Sequence, residues 1–475
     1  MRLLLVNPCN SAVSFIKANA SQWTRYRVWK PLGLMVVAAL TPRDWEITII
    51  DENLGVPDYS AMARPDLVGI TAFTSQVTRA YAIAAEFRGR GTPVVMGGIH
   101  VSMCPEEALQ WVTSVVKGEA ESVWSRVIED ATSGQLQRVY EGTRLSLAEM
   151  PAARHDLLPQ GYHFGSIQTS RGCPLNCSFC SVTAFNGGMF RRRPVEHVIE
   201  ELKSIHEKYV LIVDDNFIGI RVEHIAQTKE LLREIIKADL GKKWITQVTI
   251  NIADDEELLS LAAQAGCCGV FIGFETITDD GLAEISKKGN LRQARARRSF
   301  RESVRTIQKH GLVVVGSFIM GLDVDRPGIG ERVADAALHY GVDILNAMYL
   351  TPLPGTRLWE KMKSDDRIAA NDFPADWVYY TLTFPVAKYN HLSWRDMVRE
   401  NNACNRKFYS VLQIARRVVK GLVSGRHPFI LLVANLSYRM TAVSHFYEKF
   451  TGMDFSRGRP VVEDGVPAAT EGRSA

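Results

Sequence analysis

Three of the eight cysteines in this 475-residue chain fall in one short stretch, "TSRGCPLNCSFCSV", from Thr169 to Val182. Cys173, Cys177 and Cys180 are separated by three residues and then by two. Thiolates so close in sequence are soft ligands suited to zinc or to an iron–sulfur cluster. A structural zinc needs a fourth ligand. No second CxxC pair supplies one, and the nearest histidines, His163 and His197, are not at finger spacing. A cluster held by three cysteines leaves one iron open to an external ligand, which makes it reactive rather than purely structural.

The elements that must position this loop are legible around it. Apolar runs at "SIQTS", "VLIVDD", "QVTINI", "GVFIGFE", "VVVGSFIMG" and "ILNAMYLTP" alternate with helical segments. Six such units predict a partial parallel barrel with its site at the C-terminal strand ends. After the first strand, Pro194 suits a first helical position, with Val198, Leu202 and Ile205 as an apolar stripe. Polar groups recur at later strand ends: Asp214, Asp215 and Asn216 in "VDDNF", Glu275 in "FIGFET", Gly316, Ser317 and Gly321 in "GSFIMGLD", and the loop "LTPLPGT". An acidic residue there is commonly a helix cap. It is their order behind the cysteines that carries weight.

The first 145 residues show a separate alternation, with strands at "RLLLVN", "EITIID", "DLVGITAF", "PVVMGG" and "SVVKGE". Continuous apolar runs between helices predict a doubly wound, Rossmann-like parallel sheet. Ligands of such sheets sit beyond the carboxyl ends of the strands. There Gly97 and Gly98 permit close backbone approach, and Thr71, Thr74 and Ser75 offer hydroxyls. The dinucleotide and P-loop glycine patterns are absent. His100 reads as a loop hydrogen-bonder, and the adjacent Cys267 and Cys268 as core residues.

The expected organisation is α/β: residues 1–145 Rossmann-like, 146–160 a linker, 161–380 the partial (β/α)6 barrel, 381–452 helical, and 453–475 a disordered tail rich in Pro, Gly and charge. With 46% hydrophobic and 23% charged residues, the composition is that of a soluble globular protein. A net charge of +4 from 56 basic and 52 acidic residues gives no support for nucleic acid as a partner. The N-terminus has no signal-peptide pattern, and the apolar run "PFILLVANL" is about half the ~20 residues of a spanning helix. These features predict a cytoplasmic protein with cysteines as thiols or metal ligands. Arg416, Arg417, Lys420 and Arg426 beside that apolar run permit peripheral membrane contact and an apolar substrate such as an isoprenoid or tetrapyrrole. Trp23, Arg25, Tyr26, Arg27 and Trp29 form an aromatic, basic arm that either covers a cofactor or packs on the barrel.

"RGCPLNCSFC" resembles the CxxxCxΦC signature of radical SAM enzymes, with Phe179 as Φ. The resemblance, which spans about residues 160–370, implies a [4Fe-4S] cluster on Cys173, Cys177 and Cys180. Its open iron would bind S-adenosylmethionine (SAM), and electron transfer would release a 5′-deoxyadenosyl radical. Asp214, Asp215, Asn216, Glu275, Gly316, Ser317 and Gly321 then fall where similar enzymes hold SAM or substrate. A Rossmann-like domain ahead of such a barrel is similar to the cobalamin-binding class, with Thr71, Thr74, Ser75, Gly97, Gly98 and Glu119 on the loops that would line the corrinoid. Where many cobalamin domains have D-x-H-x-x-G, this sequence has "NPCNSAVSF". Either cobalamin binds without an axial histidine, or the domain keeps only its fold. The implied activity is cobalamin-dependent C-methylation of a small molecule, with oxidative cyclisation or rearrangement as the alternative. A flavodoxin or ferredoxin would donate the electron.

Overall fold

The computed structural model describes residues 1–10, 29–158, 161–287, 289–290 and 299–443, with side chains to 439. Trp23, Arg25, Tyr26 and Arg27 lie outside the described residues, as does the tail 453–475.

The N-terminal sheet holds six strands: β1 (Arg2–Asn7), β2 (Glu46–Asp51), β3 (Leu67–Thr71), β4 (Val94–Gly97), β5 (Ser114–Lys117) and β6 (Val139–Glu141). All pair in parallel in the order β2-β1-β3-β4-β5-β6. The order reverses between β1 and β3, and ligands of doubly wound sheets enter at such a switch point. Both faces are covered, and Leu3 and Leu5 join one buried cluster while Leu4 and Val6 join another. This burial on both sides explains the unbroken apolar run of β1.

The second sheet is an open arc in the order β14-β13-β12-β11-β10-β7, again wholly parallel. Its strands are β7 (Phe164–Ile167), β10 (Tyr209–Ile212), β11 (Lys243–Val248), β12 (Cys267–Glu275), β13 (Val313–Met320) and β14 (Ile344–Tyr349). A short antiparallel pair, β8 (Ser170–Arg171) with β9 (Arg191–Arg192), brackets the cysteine loop. The helix after it runs Val195–Ser204, so Pro194 is its N-cap rather than its first helical residue. Val198, Leu202 and Ile205 are buried as their spacing predicts. Cys267 and Cys268 are buried in the strand core.

Two connections bind the sheets together. Leu147, Met150, Ala153 and Leu158, in the stretch expected to link the domains, are buried in the N-terminal core. Further along, Ala370, Trp377, Tyr380, Val386 and Trp394 also enter that domain's core. Glu107 accepts hydrogen bonds there from Trp377 Nε1 at 2.9 Å and from Tyr81 at 2.8 Å. The C-terminal helices Trp394–Phe408, Val411–Val423 and Pro428–Val443 then pack beside β14 and the helix Ile329–Tyr340. Among the described residues no helix is long and apolar enough to cross a membrane.

Candidate functional site

The cysteine loop leaves β8 through Gly172, whose φ of +86° and approach to the Met189 carbonyl exclude a side chain. Asp214, fully buried at the end of β10, holds the preceding turn. It accepts from Thr169 N at 2.6 Å, Thr169 Oγ1 at 2.5 Å and Ser170 Oγ at 2.6 Å. Asp215 accepts from Gly172 N at 2.8 Å, one residue before the first cysteine. Burial pushes its carboxyl up to about 6, with the Asp214 charge adding to the rise and Gly172 N–H opposing it. The far side of the loop is fixed by Ser178 N donating to the Ile285 carbonyl and Leu358 N donating to the Ser178 carbonyl. Phe179 packs against the cluster formed by Ile285, Ile319, Leu350 and Leu358.

All eight cysteines are free thiols. Burial pushes the thiols of Cys173, Cys177 and Cys180 up, that of Cys177 to about 12. Lys287 opposes the rise at each of them. Its buried ammonium lies 2.8 Å from Glu275 Oε1. Burial would lower the Lys287 pKa, but Glu275 and the thiols outweigh it and raise it. Glu275 itself sits at φ +69°, a left-handed conformation costly for a residue with a side chain. Asn216 Nδ2 is 3.9 Å from Cys173 Sγ, and its buried Oδ1 has no partner.

These groups fit an iron–sulfur cluster. Among the described residues no three His, Cys, Asp or Glu side chains converge on a single-ion site, whereas a cubane takes one thiolate per iron over a wider triangle. Cys177 is buried and Cys173 and Cys180 are partly so, and with all three thiols pushed up despite Lys287, a bound metal would supply the further positive charge that ionises them. The orphaned Asn216 oxygen marks a polar position beside the first cysteine.

Next to the loop lies a cavity of about 440 Å³, lined by both domains. The N-terminal sheet contributes Gly69, Thr71, Phe73, Gly97, Gly98 and Glu119, and the barrel side contributes Gln168, Arg171, Val182, Phe185 and Asp215. Gly98, at φ +97°, leaves no space for a Cβ against Thr71 Oγ1 and the Ala72 carbonyl, both 2.9 Å away. Bare backbone and apolar walls at the switch point fit a corrinoid face. Thr74 and Ser75 do not line this cavity: Thr74 is buried, and the Ser75 carbonyl accepts from Asn10 Nδ2. Among the described residues no histidine lines it. His100 is buried in the helix Ile99–Met103, its Nε2 3.3 Å from Glu107 and its ring edge-on to Trp377.

Glu119 lies on the wall but is committed to the domain seam. It pairs with Arg191 and, at 3.5 Å, with Arg171. Arg171 also pairs with Glu121. Burial would raise the Glu119 carboxyl, yet Arg191 and Arg171 bring it below its usual value. Gly316 supports packing, since a Cβ there would meet Val342 at 2.9 Å and Phe274 at 3.2 Å. Gly321, at φ +99°, is crossed by Tyr389 and Met397 at 2.7 Å. Ser317 is half-buried on β13, 3.5 Å from Asn346 Nδ2. Lys287 and Arg191 carry no local signal in the sequence that marks them as functional. The Arg171 position, directly before "GCPLNC", was the one available signal.

A three-cysteine loop at the mouth of an open barrel, closed by a Rossmann-like domain with a shared cavity, defines a radical SAM enzyme of the cobalamin-binding type. The chain matches the Radical SAM superfamily over residues 167–328 and the B12 binding domain over residues 24–128. It is 29% identical to bacteriochlorophyllide d C-12(1)-methyltransferase of Chlorobaculum tepidum, over 80% of this chain and 82% of that one. It is 30% identical to hopanoid C-2 methylase of Rhodopseudomonas palustris, over 72% of this chain and 66% of that one. The fold is shared with the radical SAM methyltransferase TsrM of Kitasatospora setae, with a TM-score of 0.65 at 19% identity over 93% of this chain and 99% of that one. The chain belongs to the radical SAM enzymes that carry a B12-binding domain, a class whose cofactors are a [4Fe-4S] cluster, SAM and cobalamin.

Proposed function

We propose that this enzyme methylates a carbon atom of a small, predominantly apolar organic substrate of isoprenoid or tetrapyrrole type. The observation that carries this reading is the cavity walled by Gly97 and Gly98 on one side and by Arg171 and Asp215 on the other. Groups held by the two domains therefore share one chamber. When bound, the cofactors supply reductive cleavage of SAM, hydrogen abstraction from carbon, and the methyl group. The protein's own residues do the positioning. Cys173, Cys177 and Cys180 anchor the cluster, Asp214 and Asp215 set the loop that carries them, and Asn216 and Glu275 offer polar atoms beside it. Phe73, Val182 and Phe185 line the chamber with apolar side chains. Relatives named as bacteriochlorophyllide and hopanoid methylases support a substrate of this type.

A small electron-transfer protein such as flavodoxin or ferredoxin is the donor in this reading. Three cluster-ligating cysteines and five unpaired thiols, with no disulfide, suit a reducing compartment, which supports a cytoplasmic site of action. The test is anaerobic turnover of reconstituted protein with methyl-labelled SAM and candidate isoprenoids and tetrapyrroles. Deoxyadenosine together with label on a substrate carbon is expected. Deoxyadenosine with an unlabelled, rearranged or cyclised product would overturn methyl transfer.

A further inference from the structure

The helix Val411–Val423 buries Ile414, Arg417 and Gly421 against the body of the protein. Its other face is open and apolar: Val423 is 83% exposed, Val411 69%, Leu422 65% and Leu412 60%. Val419 extends the same face, and Phe429, 71% exposed, adds to it from the start of the next helix. A shallow, almost wholly apolar depression runs along Ala415, Val419 and Val423. Exposed apolar side chains this concentrated mark an interaction surface.

The charge around this face is one-sided. From Tyr409 to Val443 the sequence holds Arg416, Arg417, Lys420, Arg426 and Arg439 and no Asp or Glu. The structure sorts these cations. Arg426 is buried against Asp343 at 2.7 Å, and Arg417 against Asn435 and over the Phe408 ring. Neither is available to a partner. Leu431 and Asn435 of "PFILLVANL" are likewise buried, so that run contributes to the exposed face only at Phe429 and Leu432. Arg416 remains exposed on the apolar helix, while Lys420, exposed along its stem, donates to Gln308 Oε1 at 3.4 Å beside Arg301 and Arg305 of a neighbouring helix, which add to the positive field there.

We propose that this face docks the enzyme on an anionic lipid bilayer, with Val411, Leu412, Val419, Leu422, Val423 and Phe429 entering the acyl boundary and Arg416 and Lys420 meeting the headgroups. An amphipathic helix lying in the interface plane combines such an apolar face with flanking cations. A net positive rim also distinguishes a lipid surface from a second copy, whose identical rim would repel it. The inference does not depend on methyl transfer. Docking would place the enzyme where apolar substrates reside, but the surface is tested without any substrate.

The experiment is co-sedimentation of the full-length protein, reconstituted anaerobically, with phosphatidylcholine vesicles containing or lacking phosphatidylglycerol, read alongside gel filtration. Binding that requires the anionic lipid and weakens with added salt is expected. Val419→Glu/Val423→Glu should abolish it with iron content and melting temperature unchanged. Arg416→Gln should weaken it about fivefold, the effect of one cation near an anionic surface. Failure of the wild-type protein to sediment, or equal sedimentation of the glutamate variant, would overturn the proposal. A dimer in gel filtration that the glutamate variant disperses, without vesicle binding, would assign the face to a second copy. Loss of methyl transfer with lipid binding intact would count against the proposed function alone.

Discussion

Lys287 Nζ lies 2.8 Å from Glu275 Oε1 with both side chains buried, and Glu275 holds this pose from a left-handed backbone conformation. The pair stands beside three thiols that feel the lysine's charge. Removing Lys287 leaves a buried carboxylate without its cation. Lys287→Met should therefore cost about 3–5 kcal/mol, and adding Glu275→Gln should recover much of it. Urea unfolding of the two single variants and the double variant measures the coupling, and additive losses would refute it.

Alanine at Cys173, Cys177 or Cys180 should abolish both iron incorporation and deoxyadenosine formation. Cys267→Ala, in a strand core remote from the loop in sequence, should leave both intact. Metal analysis after anaerobic reconstitution decides this, with about four irons per protein molecule expected of the unaltered enzyme. SAM cleavage retained by the triple alanine variant would refute the cluster assignment.

Asp214 is expected to act through the loop rather than on a ligand. Asp214→Ala strands two hydroxyls and one backbone N–H in a buried turn, at about 1–3 kcal/mol for each group left without a partner. Iron content should fall in parallel with stability. An unchanged iron content in a destabilised variant would separate the turn from the cluster.

The sign of the pH effect at Asp215 follows from its raised carboxyl. A folded value of about 6 against an unfolded value of 3.8 means that the folded protein holds the proton more tightly. The resulting stability is fully present below pH 3.8 and is lost as pH rises through about 6. In cluster-free protein Asp215→Asn, which can still accept from Gly172 N, should thus raise stability above pH 7. The gain is at most about 3 kcal/mol, from roughly two pKa units. It should vanish near pH 4, and thermal melts at the two pH values test it.

Local patterns made much of this legible in the sequence. Apolar runs located five N-terminal strands and six barrel strands, because parallel strands buried on both faces carry no polar alternation. The strand Val139–Glu141 escaped, being three residues long with one exposed. The run "QVTINI" overshoots its strand, which ends at Val248 before Ile250–Asp254 forms a 3-10 turn. The cysteine spacing is local chemistry and needed no fold. Arg417 and Arg426 look like surface cations in the sequence because their partners, Asn435 and Asp343, lie 18 and 83 positions away. Lys287 is silent for a related reason: its meaning comes from Glu275 and from thiols over a hundred residues earlier.

The return of Ala370, Trp377, Tyr380 and Val386 into the N-terminal core bears on how the protein is made. The first domain leaves the ribosome with the strands of its sheet complete but short of the aromatic segment that caps the helix Val77–Gly89. At ~5–20 residues per second, Trp377 follows the last strand of that sheet by on the order of ten to fifty seconds. Throughout that interval the outer side of the helix Val77–Gly89, which covers one face of the sheet, lacks its aromatic cover. Folding in the cell cannot then proceed as one finished domain followed by another, and the early sheet is a natural client for a chaperone until synthesis passes the barrel.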